Sequence, residues 1–171
     1  MTQTGKIRSC SLPIASPEGE FVAHYSAAGL CGLDFPRSPD SSRMAIVPLD
    51  VPARVRQWHR TATAALSRVL AGQAPGELPP LDLSCGTAFQ QSVWQALRRI
   101  APGKTRSYGE VAQAIGRPKA TRAVGTACGA NPIPVFVPCH RVLAAGRKLG
   151  GFSAGLKWKR LLLGRECVAV A

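Results

Sequence analysis

The sequence predicts an α+β fold: a small N-terminal α/β unit over about residues 1–80 and a mainly helical C-terminal domain over 86–171. A linker at about 71–85 joins them. Three features point this way. Two strand-like runs flank a glycine-containing turn before residue 36. One long stretch with helical spacing of apolar residues follows. After Thr87 the pattern changes to short helices, each with its own cap or stop signal.

The runs "GEFVAHYS" (19–26) and "GLCGLDF" (29–35) are strand-like around the turn "AAG", and "SPEG" before them is a turn. In "ARVRQWHRTATAALSRVLAG" (53–72), Val55, Trp58, Ala62, Ala65, Leu66 and Val69 recur at helical spacing, with Gly72 as the stop. His24 and His59 have no matched partners in sequence and read as surface or packing residues. The linker is rich in Gly and Pro and lacks helical periodicity.

In "TAFQQSVWQALRRI" (87–100), Thr87 can N-cap, and Phe89, Val93, Trp94, Leu97 and Ile100 share one apolar face. "PGK" breaks that helix. The next opens at Ser107 with Glu110 three residues on, a capping box, and stops at Gly116. "RPK" turns, and "ATRAVGTACGAN" runs as a helix to Asn131. Two short helices separated by a tight turn suggest helix-turn-helix geometry. A last helical run, "LKWKRLLL", precedes Glu166.

Charge is asymmetric. Residues 1–85 carry eight Lys+Arg and seven Asp+Glu, a balance of +1. Residues 86–171 carry fourteen Lys+Arg against only Glu110 and Glu166, a balance of +12. A one-sided excess of this kind more often marks a polyanion site, with nucleic acid the expected partner ahead of a solvated face or an anionic membrane surface. No apolar run reaches the roughly 20 residues that span a bilayer, and no signal sequence is visible, so a cytoplasmic location is expected, on the nucleoid if the source is bacterial. The second helix of the pair carries Ala120, Thr121, Ala123 and Gly125, whose small side chains let the backbone approach nucleic acid but read few base edges. Arg122 is the long cation among them. It either contacts phosphate or inserts between bases.

Six cysteines lie at positions 10, 31, 85, 128, 139 and 167, with no CxxC spacing. Most read as small buried hydrophobes. Cys139 stands apart, because "PVFVPCHRV" places it behind a β-branched and aromatic run and directly before His140. A nucleophilic thiol must ionise, and its free pKa of about 8.5 requires help from a base or cation. Adjacent residues on an extended strand face opposite ways, so contact of Cys139 with His140 requires a turn after Pro138 or a bridging water. A working pair also needs a group that orients the imidazole. Glu110 is used by its capping box, which leaves Glu166, either as that orienter or as a surface partner of Arg165 or Lys159. Asn131 is either a helix C-cap or a tie between the helix pair and the cysteine segment. Metal-ligand spacing is absent. The residues alone describe a DNA-binding protein with a reactive cysteine.

The second half resembles the O6-alkylguanine–DNA alkyltransferase family. "NPIPVFVPCHRV" contains the family's active-site signature, and "RSYGEVA", "RPKATRAVG" and "GGFSAGLKWKRLLLGRE" follow the surrounding segments in order and spacing. The resemblance covers about residues 84–166 strongly and 1–83 weakly. It implies a ribonuclease H-like first domain and a winged helix-turn-helix in the second. It implies base flipping and single-turnover transfer of the alkyl group from O6-alkylguanine to Cys139, with no cofactor. His140 would take the thiol proton through a water and Glu166 would orient His140. Asn131 would support the site, and Tyr108 would donate to the guanine ring. Ser153 and Phe152 lie on the loop expected to face the lesion, the Val142 carbonyl would accept from the exocyclic amine, and Lys159 would assist Tyr108 or that loop. Arg122 matches the finger that fills the vacated stack, with Ala120, Thr121, Ala123 and Gly125 beside it. The resemblance implies a monomer, with cooperative binding along DNA left open.

The chain departs from the family in places. Phe152 replaces a common Tyr, and Cys10, His24 and Cys31 do not reproduce the zinc ligands of some relatives, so no metal is expected. Non-catalytic relatives lack the cysteine that this chain keeps. A promoter-binding regulator would use the same helix pair, and a cysteine hydrolase would use the same thiol but turn over repeatedly without DNA.

Overall fold

A computed structural model describes residues 10–36 and 50–170. Three antiparallel strands, β1 (Cys10–Ser16), β2 (Gly19–Tyr25) and β3 (Leu30–Asp34), form a sheet in the order β1-β2-β3. β1 was not expected from the sequence. Its alternation buries Cys10, Leu12 and Ile14, but Pro13 interrupts the signal. An edge position tolerates proline, because the missing N–H need not enter the ladder. In the β1–β2 turn, Ser16 Oγ donates to the Gly19 carbonyl at 2.7 Å and accepts from the Glu18 N–H at 3.2 Å. Gly19 sits at φ +120°, and a Cβ there would lie 2.8 Å from Pro36, so both backbone and space demand glycine.

Helix α1 (Ala53–Leu70) buries Val55, Ala62, Ala65, Leu66, Val69 and Leu70. Trp58 is half-buried, with the Arg54 guanidinium 5.1 Å from its ring centre. His59 Nδ1 pairs with the buried Tyr25 hydroxyl at 3.1 Å. On the sheet's other face, His24 bridges Ser11 Oγ at 2.7 Å and Asp34 Oδ2 at 3.1 Å. The 71–85 segment is tied to β3: Leu30 N–H donates to Pro80 O, and Asp82 N–H donates to Leu30 O, both at 2.8 Å.

The second half runs α2 (Ala88–Leu97), β4 (Arg106–Ser107), α3 (Tyr108–Ala114), α4 (Thr121–Gly129), β5 (Val142–Leu143) and α5 (Leu156–Arg165). Both expected caps form as full capping boxes, Thr87 with Gln90 and Ser107 with Glu110. α3 packs on α4, and α2 packs on both. The Trp94 indole N–H donates to Ala127 O at 2.8 Å and pins α2 to α4. β4 and β5 pair in parallel.

Buried residues from both halves form one continuous core. An aromatic cluster crosses it. Phe35 lies 4.8 Å from Trp158 and 5.8 Å from Phe152, ring centre to ring centre, so the end of β3 meets α5 and the loop before it. The Leu33 N–H also donates to Pro132 O at 2.9 Å. Three cysteines are buried (Cys10, Cys128, Cys139), Cys31 is half-buried, and Cys85 and Cys167 are exposed. That is fewer buried thiols than the sequence suggested. Among the described residues no helix is long and apolar enough to cross a membrane.

Candidate active site around Cys139

The segment before Cys139 is held in an unusual path. Val135 adopts φ +78°, a left-handed conformation that a β-branched residue avoids and that costs about 1–3 kcal/mol. The Val137 N–H donates to Ile133 O at 2.9 Å, and the Cys139 N–H to Val137 O at 2.8 Å. Pro138 cannot continue a ladder, and Cys139–Arg141 forms a single 3-10 turn. The cysteine is therefore on a turn and not on an extended strand. The turn takes consecutive side chains out of the strand's opposite-facing alternation.

Asn131 ties this loop together. α4 ends before it, with Ala130 as the C-cap, so Asn131 is not the cap. Its side-chain amide donates to Val137 O at 2.8 Å and to Cys139 Sγ at 3.1 Å. Its Oδ1 accepts from the Ile133 N–H at 3.1 Å. Cys139 is 4% exposed. Burial pushes its thiol up, against smaller downward effects from the Asn131 hydrogen bond, the Lys159 charge and backbone N–H groups. The resting group is a thiol.

His140 is fully buried, with Nε2 3.0 Å from Glu166 Oε1. Burial lowers its pKa, and the bonded Glu166 partly restores it. Burial alone would raise Glu166, but hydrogen bonds and charge from His140 and Arg141 outweigh that and hold it at about 2. An ionised Glu166 can only accept, so the proton of a neutral His140 belongs on Nε2. Nδ1 is then the free base, and it has no protein hydrogen-bond partner.

Arg141 contributes more than positive potential. Its Nε donates to both Glu166 oxygens at 3.0 Å, its Nη2 to Oε1 at 2.7 Å, and its Nη1 to Ile100 O. The Gly103 N–H adds a bond to Glu166 Oε2 at 3.1 Å. Sequence reasoning missed this fork. The signal available was a basic half with a single unassigned acid, which a buried arginine beside the histidine would claim.

Lys159 is also fully buried. Its ammonium donates to Val142 O at 2.7 Å and Gly151 O at 3.1 Å, which fixes the site loop. Burial lowers its pKa. The Val142 carbonyl thus already has one donor. Tyr108 opens α3 under this loop. Burial raises its pKa, with further upward effects from Cys128 and Cys139. Gly150 holds φ +65°, and a Cβ there would sit 2.9 Å from the Tyr108 hydroxyl. Phe152 is half-buried and Ser153 exposed. Ser153 and Asn131 line a cleft of about 420 Å³ with Leu33, Asp34, Phe35 and Pro134.

The structure therefore brings together Cys139, His140, Glu166, Asn131 and Lys159, with Tyr108 against Gly150. At the start of α4, Thr121, Arg122 and Ala123 are exposed and Ala120 and Gly125 partly so, and a Cβ on Gly125 would lie 3.9 Å from the Tyr108 ring. Among the described residues no group of three or more His, Cys, Asp or Glu is placed to hold a metal ion.

A family model described as 6-O-methylguanine DNA methyltransferase, DNA binding domain, matches residues 88–168. The chain is 52% identical over 103 residues to a methylated-DNA–protein-cysteine methyltransferase of Methanosarcina acetivorans, covering 58% of this chain and 66% of that one. It therefore spans just under two thirds of that relative. A protein of the same name from Methanosarcina barkeri is 38% identical over 156 residues, 90% of this chain and 94% of the relative. The crystal structure of Mycobacterium tuberculosis OGT in complex with DNA superposes with a TM-score of 0.73 at 40% identity, covering 90% of each chain.

Proposed function

The chain belongs to the methylated-DNA–protein-cysteine methyltransferase family, and we propose on that premise that it repairs O6-alkylguanine in DNA by moving the alkyl group onto its own Cys139. The observation that carries the reading is the Asn131 amide, 3.1 Å from Cys139 Sγ, in the turn that also fixes the His140–Glu166 pair. The lesion base leaves the stack and enters the pocket. His140 Nδ1 takes the thiol proton through one water. Glu166 orients the imidazole and stabilises the imidazolium that results.

The Cys139 thiolate attacks the alkyl carbon, an S–C bond forms and the C–O6 bond breaks. The electron pair passes to guanine, to which Tyr108 donates as charge develops. Ser153 and Phe152 face the lesion, and the Val142 carbonyl accepts from its amine. Lys159 holds that loop. The thiol is both nucleophile and acceptor, so the step uses no cofactor. A thioether is a poor leaving group, so each chain acts once.

Duplex DNA would dock on α4, where small residues allow close approach and Arg122 fills the vacated stack. Exposed Arg117 and Lys119, in the turn before α4, contribute affinity without sequence choice. The packing of α3 on α4 supports a helix-turn-helix within a winged domain, and the strand order β1-β2-β3 with α1 supports a ribonuclease H-like first domain. On this reading the protein works as a monomer in the cytoplasm, on the nucleoid if the source is bacterial. Titration with duplex carrying labelled O6-methylguanine tests the reading. A plateau at one methyl per chain is expected, and continued turnover would overturn it.

A further inference from the structure

Arg141 has no part in the transfer as described, yet it is buried and every nitrogen of its guanidinium is hydrogen-bonded. Its Nε and Nη2 grip Glu166, and its Nη1 caps the Ile100 carbonyl beyond the end of α2. We propose that Arg141 is the positioning residue of this site: its fork fixes the Glu166 carboxylate so that one oxygen meets His140, and its charge offsets that carboxylate so that the Cys139–His140 pair rests neutral.

Glu166 Oε1 receives His140 Nε2 at 3.0 Å together with Arg141 Nη2 at 2.7 Å. Oε2 is held by Arg141 Nε at 3.0 Å and the Gly103 N–H at 3.1 Å. The carboxylate cannot rotate without breaking several of these bonds. His140 is thereby locked in orientation by a group two steps removed from the chemistry.

The charges around His140 act in opposite directions. Burial opposes the imidazolium most, Glu166 favours it, and the charges of Arg141 and Lys159 add to the opposition. A Cys–His pair beside an unopposed carboxylate would drift toward thiolate and imidazolium. Such a thiolate would react with any stray electrophile or oxidant. A single-use thiol benefits from staying protonated until a lesion is seated. Arg141 therefore lowers the basicity of His140 while fixing its orientation and keeping the resting nucleophile quiet.

This inference rests on the transfer reading for its purpose, but its test does not. Iodoacetamide labelling of Cys139 in the full chain, followed across pH without DNA, reads the resting pair directly. Arg141→Gln removes the charge and keeps a donor. The expected result is a labelling profile displaced to lower pH, with neutral-pH labelling at least about threefold faster. Methyl transfer from duplex should slow by at least about tenfold, because the imidazole loses its fixed placement. Arg141→Lys keeps the charge and loses the fork. It should restore the wild-type labelling profile while transfer stays slow, and this variant also covers failure of the glutamine variant to fold. An unshifted profile in Arg141→Gln with only a lower melting temperature would mean a purely structural arginine and would overturn the proposal. A shifted profile in a chain that transfers no alkyl group would keep this inference and sink the transfer reading.

Discussion

Asn131 donates one side-chain nitrogen to two acceptors, the Val137 carbonyl at 2.8 Å and Cys139 Sγ at 3.1 Å. The residue that follows the α4 cap therefore both builds the loop before the cysteine and contacts its sulfur. Asn131→Ala should leave the buried Ile133 N–H without a partner and Val137 O with only the Cys139 N–H, costing about 1–3 kcal/mol of stability. It should also slow transfer about a hundredfold, as loss of a donor at a developing anion does. Asn131→Asp should be slower still, because a second negative charge opposes the thiolate. Single-turnover rates and urea unfolding check both.

Acid should unfold the protein through the same site. Glu166 is held at about 2, against an ordinary value of about 4.3. A depressed carboxylate stabilises the fold above its unfolded pKa, and that stability is lost as pH falls through the window from about 4.3 to about 2. The contribution is at most about 3 kcal/mol. His140 is also depressed, by burial, so it adds loss that begins as pH drops below about 6.5. Urea midpoints should fall steadily from pH 7 to pH 3. A flat profile would contradict the buried network.

Gly150 stands directly over the Tyr108 hydroxyl, at φ +65°. Gly150→Ala should cost about 1 kcal/mol in backbone strain alone. The added methyl would also displace Tyr108 or the loop. Transfer should fall more than duplex affinity does, as paired rate and binding measurements would show. Equal losses in both would mean that the loop serves docking and not chemistry.

Much of this was legible in the sequence. The capping boxes at Thr87 and Ser107 are local, so both helix starts could be read directly. The charge asymmetry, the "PCHR" turn and the lone Glu166 pointed to the site. What stayed hidden depends on distant partners. The Arg141 fork closes over a separation of twenty-five residues, and the Lys159 clamp on Val142 over seventeen. No period or spacing announces either one. β1 was obscured by Pro13, which reads as a break in a central strand and is tolerated on an edge.

Arg122 is exposed on α4, beyond the buried site. Arg122→Ala should slow repair of a lesion in duplex DNA by at least about tenfold, while transfer from a free O6-alkylguanine base changes by less than about twofold. On the proposed reading, only the duplex reaction requires the stack to be refilled. Parallel slowing of both substrates would place Arg122 in the pocket or in the fold.

Acceptance of the alkyl group by Cys139 is the step on which the rest depends. The most direct measurement is intact mass after incubation with a duplex holding one O6-methylguanine, followed by peptide mapping. The expected result is a gain of one methyl per chain, carried by the peptide with Cys139 and absent from Cys139→Ala. A methyl on another cysteine, or binding of the duplex with no change in mass, would contradict it.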